Sequence, residues 1–158
     1  MRLVAVDGPS GAGKSTVART LALELGALVV PTDHFATWDD PVSWWPRLVE
    51  GVLDPLARGE TGRYRRTDWT DGWPKPGDWL TVDPPEVLIV EGVSSARRSI
   101  APRLDLAVWV DGPDETERLE RAVRRDGERS RAHLRRWQEF ERGWFAVDDT
   151  RSRADRIV

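Results

Sequence analysis

Short unbroken runs of hydrophobic residues alternate along the chain with longer stretches in which hydrophobic residues recur at helical spacing. The unbroken runs are Leu3–Val6, Leu28–Val30, Val87–Val90, Leu106–Val110 and Ile157–Val158. Helical spacing covers Ser15–Leu25, Val42–Ala57, Asp114–Arg125 and His133–Phe145. Unbroken hydrophobic runs are typical of parallel strands that are covered on both faces. The pattern predicts an α/β fold with three α/β/α layers around a five-stranded parallel sheet.

The stretch Gly59–Pro85, between the second and third runs, interrupts this alternation. Its helix- and strand-breaking residues are Gly59, Gly62, Gly72, Gly77, Pro74, Pro76, Pro84 and Pro85. Such a density of breakers predicts loop structure with room for a short strand or hairpin. We interpret residues 36–85 as an insert, called the insert below, within a single domain that spans residues 1–158.

The segment between the first run and the first helix carries the most specific motif of the chain. Gly8, Gly13, Lys14 and Ser15 match the pattern G-x-x-x-x-G-K-[ST], which is the phosphate-binding P-loop. A buried strand before the motif and a helix after it are the context that this loop requires. The motif predicts a nucleotide site formed by Gly8, Ser10, Gly11, Ala12, Gly13, Lys14, Ser15 and Thr16.

The chemistry of this loop predicts that the phosphates of a nucleotide bind here together with Mg²⁺. Glycines allow backbone N–H groups to turn towards phosphates, and the helix that follows directs its positive dipole end at the same anion. In such loops the lysine, here Lys14, reaches the β- and γ-phosphates, and the hydroxyl of Ser15 binds Mg²⁺. Lys14 and Lys75 are the lysines of a chain that otherwise uses arginine as its cation, so lysine is retained where a slim point charge is needed.

Composition narrows the choice of partners. The chain of 158 residues has a net charge of −3 with 32% charged residues, so no general basic field indicates nucleic acid as a partner. Cysteine is absent, which excludes disulfides and thiolate-bound metals. Neither a signal-peptide pattern nor a hydrophobic run of roughly 18 residues is present, so we expect no membrane partner and a cytoplasmic location.

Two acidic residues follow predicted strands at the edge of the sheet where the P-loop lies. Glu91 ends the run Val87–Val90, where a carboxylate can complete a Mg²⁺ site, although it could also cap the next helix. Asp33 follows the second run and could accept a proton from an attacking hydroxyl or help to bind Mg²⁺. A simple turn aspartate is the alternative for Asp33. The predicted metal site therefore comprises Ser15, Asp33 and Glu91.

An arginine-dense run extends from the fourth helix into the following loop. Arg121 and Arg125 are four residues apart and therefore share one helical face. Arginines on a closing segment can stabilise a phosphoryl group in transfer and exclude water. The alternative is a solvated surface that pairs with neighbouring glutamates. We assign residues 118–131 as a lid, called the lid segment, with Arg121 and Arg125 as its functional side chains.

Nine tryptophans are present, and several fall in the insert. Spacing on the helix predicted there makes Trp45 an ordinary core residue. Trp69, Trp73 and Trp79 lie among glycines and prolines, where a core is difficult to build. Exposed indoles near a phosphate site could stack on a flat ring or a sugar, or could be structural.

Taken together, these motifs resemble the uridine kinase-like branch of the P-loop kinases, which includes phosphoribulokinase and bacterial pantothenate kinase. The resemblance covers Asp7–Thr16, Asp33–Phe35, Ile89–Gly92, Arg118–Asp126 and Ala154–Val158. It implies an ATP-dependent kinase in which Asp33 faces the acceptor hydroxyl, Ser15 and Glu91 bind Mg²⁺, and the insert lies on the substrate side. It also implies that Lys14 and the lid arginines Arg121 and Arg125 contact phosphates, and that Tyr64–Trp69 contacts a nucleoside.

The chain departs from the pattern of this branch at two positions. Ala36 stands where a tyrosine usually follows Asp-x-Phe, and Ala122 replaces the second arginine of a pair in the lid. The expected function is transfer of a γ-phosphate to a hydroxyl of a small molecule, with a nucleoside as the first choice. The alternatives are a cytidylate-like nucleoside monophosphate kinase, for which Arg63, Arg65 and Arg66 are available, a kinase of another small alcohol, and a non-catalytic ATP-binding module.

Overall fold

The computed structural model describes all residues, 1–158, and is built on a five-stranded sheet in the order β2-β5-β1-β6-β7. Every neighbouring pair in this sheet is parallel. Its strands are β1 (Arg2–Asp7), β2 (Leu28–Pro31), β5 (Val87–Glu91), β6 (Leu106–Trp109) and β7 (Arg156–Ile157). The parallel sheet and its strands, which the hydrophobic runs predicted, are confirmed.

The helices follow the predicted order with small shifts at their ends. They are α1 (Lys14–Leu25), α2 (Trp45–Leu48), α3 (Asp54–Ala57), α4 (Glu115–Asp126) and α5 (Arg131–Asp148). A π-helical segment, Val49–Leu53, joins α2 to α3, so the helix predicted over Val42–Ala57 begins later and is wider in its middle. The side chain of Asp114 accepts a hydrogen bond from the N–H of Glu117 and so begins α4.

Both faces of the sheet are buried, which gives the three predicted layers. On one face Leu3, Val30 and Leu88 pack in a cluster with residues of the helical stretch 45–56. On the other face Val4 and Ile89 pack with residues of α1. Neighbouring residues of one strand therefore enter opposite cores, as the alternation of side chains along a strand requires. This explains why the strands are hydrophobic at every position.

The insert is more regular than its composition indicated. Two antiparallel strands, β3 (Gly62–Asp68) and β4 (Lys75–Val82), form a hairpin that is separate from the main sheet. The expected hairpin within Gly59–Pro85 is therefore present, and its two strands occupy more of this stretch than the sequence predicted. Gly62 lies so close to the π-helical segment that an added Cβ would be 3.0 Å from the carbonyl oxygen of Gly51, which explains why glycine occurs in this strand.

No helix of the protein has the length and hydrophobicity needed to span a membrane.

Candidate active site

A cavity of about 720 Å³ lies at the carboxyl ends of β1, β2 and β5. Ligands of open parallel sheets bind in the crevice at this edge. One half, called the nucleotide half, is lined by Ser10, Gly11, Gly13, Lys14, Ser15, Thr16, Asp33 and Glu91. The other half, called the acceptor half, is lined by side chains of the insert, α4 and α5, among them Trp38, Trp69, Asp71, Arg121, Arg125 and Trp137.

The P-loop wraps around the amino end of α1 in a conformation that glycine makes possible. Gly8 and Gly11 have φ angles of +143° and +77°, in the region that side chains disfavour. An added Cβ would lie 2.3 Å from the carbonyl oxygen of Val110 at Gly8, and 2.5 Å from that of Arg118 at Gly11. The loop is therefore packed against both the strand β6 side and the lid segment.

Two of the predicted nucleotide residues do not line the cavity. Gly8 lies behind the loop, against Val110, and the side chain of Ala12 is buried in the core below it. The N–H of Ala12 donates to the carbonyl oxygen of Pro9 at 3.2 Å, inside the loop itself. These two residues shape the loop, and the direct contact of Gly8 and Ala12 with nucleotide stays a prediction.

Lys14 is buried and curls back over the loop. Its Nζ donates to the carbonyl oxygen of Pro9 at 2.9 Å. Because Lys14 begins α1 and its ammonium group reaches the carbonyl oxygen of Pro9, the side chain lies across the P-loop. The ammonium group therefore lies where it can neutralise phosphate charge.

The carboxylate of Asp7 holds the P-loop to the segment after β5. It accepts hydrogen bonds from the N–H groups of Gly8, Ser94 and Ala96, at 2.7, 3.1 and 2.8 Å. Complete burial raises the pKa of Asp7 to about 7, against the effect of these donors. Asp7 therefore has a structural role, holding the P-loop against the segment after β5, which the hydrophobic run before the motif did not indicate.

Ser15, Glu91 and Asp33 face one another at the boundary between the two halves. The hydroxyl of Ser15 donates to Oε1 of Glu91 at 3.3 Å. Burial raises the pKa of Glu91, the carboxylate of Asp33 raises it further, and the ammonium group of Lys14 opposes both. Asp33 is exposed on the wall of the cavity. One hydroxyl and two carboxylates suit Mg²⁺, which takes few protein ligands and keeps water and phosphate oxygens.

The lid segment places its two predicted arginines on the cavity wall. Arg121 pairs with Glu117 at 2.6 Å, and Arg125 pairs with Asp126 at 2.6 Å. Both side chains line the cavity and both have an acidic neighbour, and their contact with phosphates stays a prediction. Arg129 also lines the cavity, whereas Arg118 donates to the carbonyl oxygen of Pro113 behind the loop.

Glu141 of α5 is a buried carboxylate at the P-loop that the sequence reasoning missed. Its Oε1 and Oε2 each lie 3.1 Å from the N–H of Ser10, and the Ser10 hydroxyl also donates to it. Burial raises the pKa of Glu141, while Lys14 opposes the shift. The sequence contained one indication of this role. Leu134, Gln138 and Glu141 share the buried face of α5, and two polar residues on a buried face indicate a polar partner in the core.

An aromatic cluster forms the wall of the acceptor half. Trp38 packs edge-to-face with Trp69 and with Trp137, at ring separations of 4.9 and 5.8 Å, and stacks on His133 at 5.1 Å. The indole N–H of Trp69 donates to the carbonyl oxygen of Asp33 at 2.8 Å. This bond holds the ring of Trp69 against the backbone of Asp33.

Other aromatic expectations are corrected. Trp73 and Trp79 are 60% and 57% exposed and do not line the cavity, so of the three insert tryptophans considered as stacking residues only Trp69 lines it. Tyr64 is buried in the core against Phe35, which leaves Trp69 as the cavity-lining aromatic residue of Tyr64–Trp69. The phenol oxygen of Tyr64 bonds Nδ1 of His34 at 2.8 Å, so His34 has a structural partner.

Comparison with known sequences gives a family match to the segment that contains the P-loop. A model of the cytidylate kinase family matches residues 4–36, which run from β1 through the P-loop and past β2. A bifunctional pantoate ligase/cytidylate kinase of Gloeobacter violaceus is 44% identical over 81 residues, 44% of this chain and 16% of that protein. A cytidylate kinase of Pelotomaculum thermopropionicum is 66% identical over 29 residues, 18% of this chain and 13% of that protein. The chain thus spans less than a fifth of these curated relatives.

Solved structures resemble the whole chain. A structure described as a possible uridine kinase, from Bacillus stearothermophilus, superposes with a TM-score of 0.67 at 16% identity, covering 99% of this chain and 87% of that one. A structure provisionally described as a fructose transport system kinase, from Silicibacter sp., gives 0.69 at 24% identity, covering 99% and 89%. The fold is therefore that of the P-loop kinases, and the resemblance to the uridine kinase-like branch is confirmed at the level of fold.

Proposed function

We propose that the chain is an ATP-dependent kinase that transfers the γ-phosphoryl group to a hydroxyl of a small molecule, with a nucleoside as the first candidate. The observation that carries this proposal is the position of Asp33. Its carboxylate lies in one cavity between the Lys14–Ser15–Glu91 group and an aromatic wall. A base between a phosphate site and a stacking surface suits the transfer of phosphate to a hydroxyl on a flat compound.

In the nucleotide half, backbone N–H groups of Gly11, Gly13 and Lys14 are suited to bind the phosphates, together with the dipole of α1. The ammonium group of Lys14 neutralises charge along the phosphate chain. Ser15 and Glu91 would hold Mg²⁺, and Asp33 lies close enough to contribute. When bound, this ion withdraws electron density from the phosphate oxygens.

At the boundary between the two halves, Asp33 accepts the proton of the attacking hydroxyl. The hydroxyl oxygen forms a bond to the γ-phosphorus, the bond from that phosphorus to the β–γ bridging oxygen breaks, and ADP leaves. Arg121 and Arg125 stabilise the charge spread over the transferred group and limit the entry of water. Because little covalent chemistry is required of the protein, orientation of the hydroxyl by the aromatic wall is central to the rate.

A nucleoside monophosphate is the second candidate, because the family match to cytidylate kinase favours it. That match ends at residue 36, the first residue of the insert that would bind the acceptor. An accepting phosphate must lie next to the γ-phosphate, yet Arg63, Arg65 and Arg66 do not line the cavity. The positions of these arginines favour a hydroxyl as the acceptor. A non-catalytic ATP-binding module gains no support from Ala36, which is buried in the core.

The decisive experiment measures ADP formation from Mg·ATP with nucleosides, nucleoside monophosphates and small alcohols in turn. We expect a nucleoside to increase ADP formation by at least tenfold over the acceptor-free rate. Stimulation by monophosphates alone would favour the second candidate. Binding of ATP without stimulation by any compound of the panel would contradict a kinase for these acceptor classes.

A further inference from the structure

A second pocket, called the arginine pocket, lies in the insert and shares no residue with the cavity of the candidate active site. Its volume is about 270 Å³. It is lined by Thr37, Arg47, Arg65, Arg66, Thr67, Pro74, Lys75 and Pro76. Four of these eight residues are cationic and none is acidic. Thr37 directly precedes Trp38 of the aromatic wall, so the two pockets are neighbours.

The hairpin brings two consecutive arginines to this one pocket. Side chains of consecutive strand residues normally point to opposite faces. Here the pairing shifts, because β3 advances by two residues between Arg65 and Thr67 while β4 passes through three, from Trp79 to Pro76. Such an irregularity redirects side chains locally. Both Arg65 and Arg66 therefore line the same pocket.

The guanidinium groups are held in position and keep unused donors. Arg47 donates to the carbonyl oxygens of Phe35 and Arg65, at 3.3 and 2.9 Å. Arg65 donates through Nε to the carbonyl oxygen of Gly77 at 2.9 Å, which leaves both of its Nη groups available. The Nε of Arg66 is buried without any acceptor. A buried donor without a partner is costly, and an anion in the pocket would supply the missing acceptor.

The acids near these cations lie outside the lining of the arginine pocket, and they include Asp68, whose carboxylate interacts with Lys75 and Arg66. Asp78 pairs with Arg66 at 3.3 Å and Asp71 pairs with Lys75 at 2.9 Å. The two acidic side chains are 81% and 67% exposed and lie outside the lining of the arginine pocket. Exposed ion pairs contribute little energy and exchange easily with another anion. Arg47 and Arg65 have no acidic partner among the ion pairs of the protein.

We propose that the arginine pocket binds the phosphate group of a small phosphorylated compound, apart from the phosphates of ATP. Arginine forks suit phosphate oxygens in paired hydrogen bonds, and several forks together match the charge of a phosphate monoester. The volume accepts a phosphate with part of the group attached to it. The compound is either a separate effector or an acceptor whose far end carries a phosphate, and the two sources share this chemistry. This site does not depend on the proposed function.

Inorganic phosphate is the probe that tests the proposal. Phosphate is titrated calorimetrically, at constant ionic strength, into the full chain saturated with Mg²⁺ and a non-hydrolysable ATP analogue that occupies the P-loop. The variants are Arg65→Gln/Arg66→Gln and the single exposed change Arg65→Gln. The matched control Arg58→Gln/Arg63→Gln removes the same charge outside the pocket, since Arg58 pairs with Glu60 and Arg63 lies over Trp79. Thermal unfolding checks that all variants are folded.

We expect saturable binding of phosphate to the wild type. The dissociation constant should be at least tenfold higher in the pocket double variant and measurably higher in Arg65→Gln. In the control variant it should stay within twofold of the wild-type value. Absence of saturable binding to the wild type would overturn the proposal, as would equal losses in the two double variants. A Lys14→Ala chain without nucleotide should keep the site. If Lys14→Ala lost phosphate binding while the pocket double variant kept it, the phosphate would be assigned to the P-loop instead.

A second probe, ribose 5-phosphate, separates the two sources. It carries both hydroxyls and one phosphate. Binding that depends on Arg65 and Arg66 and is accompanied by ADP formation identifies the phosphorylated end of an acceptor. Arginine-dependent binding without ADP formation identifies a separate effector. Binding of this compound that is unchanged in the pocket variant would contradict the assignment of the site.

Discussion

The nucleotide half and the acceptor half of the cavity are built in different ways. The nucleotide half comes largely from one contiguous segment, Asp7–Thr16, whose backbone is fixed by buried partners such as Asp7 and Glu141. The acceptor half is assembled from the insert, α4 and α5, which meet only in the folded chain. Its surface consists of partly exposed side chains, including Trp69 and Arg121.

This difference in construction determines which part of a ligand each half could recognise. Phosphates are recognised by backbone N–H groups and one cation, so any sequence that makes the loop makes the site. An acceptor is recognised by the shape of a wall whose side chains come from three elements. Under the proposed function, the nucleotide half would define the class of reaction, while the acceptor half would define the compound. The predictions below separate the two halves experimentally.

The largest expected effect is in the nucleotide half, at Lys14. Lys14→Ala removes the buried cation that spans the loop, so we expect kcat/KM to fall by about 10³-fold or more with every acceptor. Steady-state kinetics with the best compound of the panel provides the measurement. Arg58→Gln, at an exposed ion pair far from the cavity, is the control. Activity within tenfold of wild type in Lys14→Ala would contradict the role of the loop.

At the boundary between the halves, Asp33→Asn should affect turnover and leave nucleotide binding intact. Loss of a general base costs about 10²–10⁴-fold in kcat. Titration with a fluorescent ATP analogue should give an unchanged dissociation constant, because the P-loop is untouched. Asp39→Asn changes an exposed acid of the same loop and should retain wild-type kcat. Unchanged turnover in Asp33→Asn would remove this residue from the mechanism.

In the acceptor half, Trp69→Ala should change the KM for the acceptor and leave the KM for ATP alone. Stacking of a base on an aromatic side chain contributes about 1–3 kcal/mol, so the acceptor KM should rise roughly 5- to 150-fold. Trp79→Ala is the matched control, since Trp79 is another tryptophan of the hairpin region, exposed and outside the cavity. Equal effects in the two variants would mean that the wall does not bind the acceptor.

The same contrast explains how far the sequence could be interpreted. Strand runs and the P-loop motif are local patterns, so they predicted the parallel sheet and the positions of Lys14, Ser15 and Glu91. The hairpin was underestimated because its strands are half-exposed and contain glycine and proline, as at Gly62 and Pro76. Strand pairing between such segments depends on packing against the π-helical segment, which no local pattern reveals.

Site residues that act across long sequence separations were the ones missed. Glu141 reaches Ser10 over a separation of 131 residues, and Trp137 and Trp38 meet from α5 and the insert. Each of these residues looks like an ordinary amphipathic or core position in its own segment. Their roles follow from the order of the strands in the sheet, which brings the end of α5 beside the P-loop.

Glu141→Ala tests whether α5 supports the nucleotide half. The N–H of Ser10 would lose a buried acceptor, at a cost of about 1–2 kcal/mol in the free energy of unfolding, because the removal of a buried charge offsets part of the loss. Urea denaturation measures this cost, and Glu139→Ala, an exposed acid on the same helix, is the control. A stability equal to that of the control would show that the P-loop holds its shape without this carboxylate.

The smallest effect concerns His34, whose bond to Tyr64 joins the end of β2 to the hairpin. Burial lowers the pKa of His34 below its ordinary 6.5, the carboxylate of Asp33 opposes this shift, and the guanidinium group of Arg66 adds to it. The unfolded chain therefore takes up this proton at higher pH than the folded chain does. The stability contributed by neutral His34 is fully present above pH 6.5 and is lost as the pH falls through the lowered folded pKa.

Urea denaturation at several values between pH 5 and pH 7 should accordingly show that the free energy of unfolding of wild type, taken relative to that of His34→Gln, rises with pH. The comparison must be made as a difference between the two chains, because the raised pKa of Asp7, about 7, contributes the opposite slope in both. Tyr64→Phe removes the hydroxyl partner but keeps the imidazole buried, so it should lower stability while retaining the wild-type slope. If the free energy of unfolding depended on pH with the same slope in wild type and in His34→Gln, protonation of His34 would not affect the contact between the end of β2 and the hairpin.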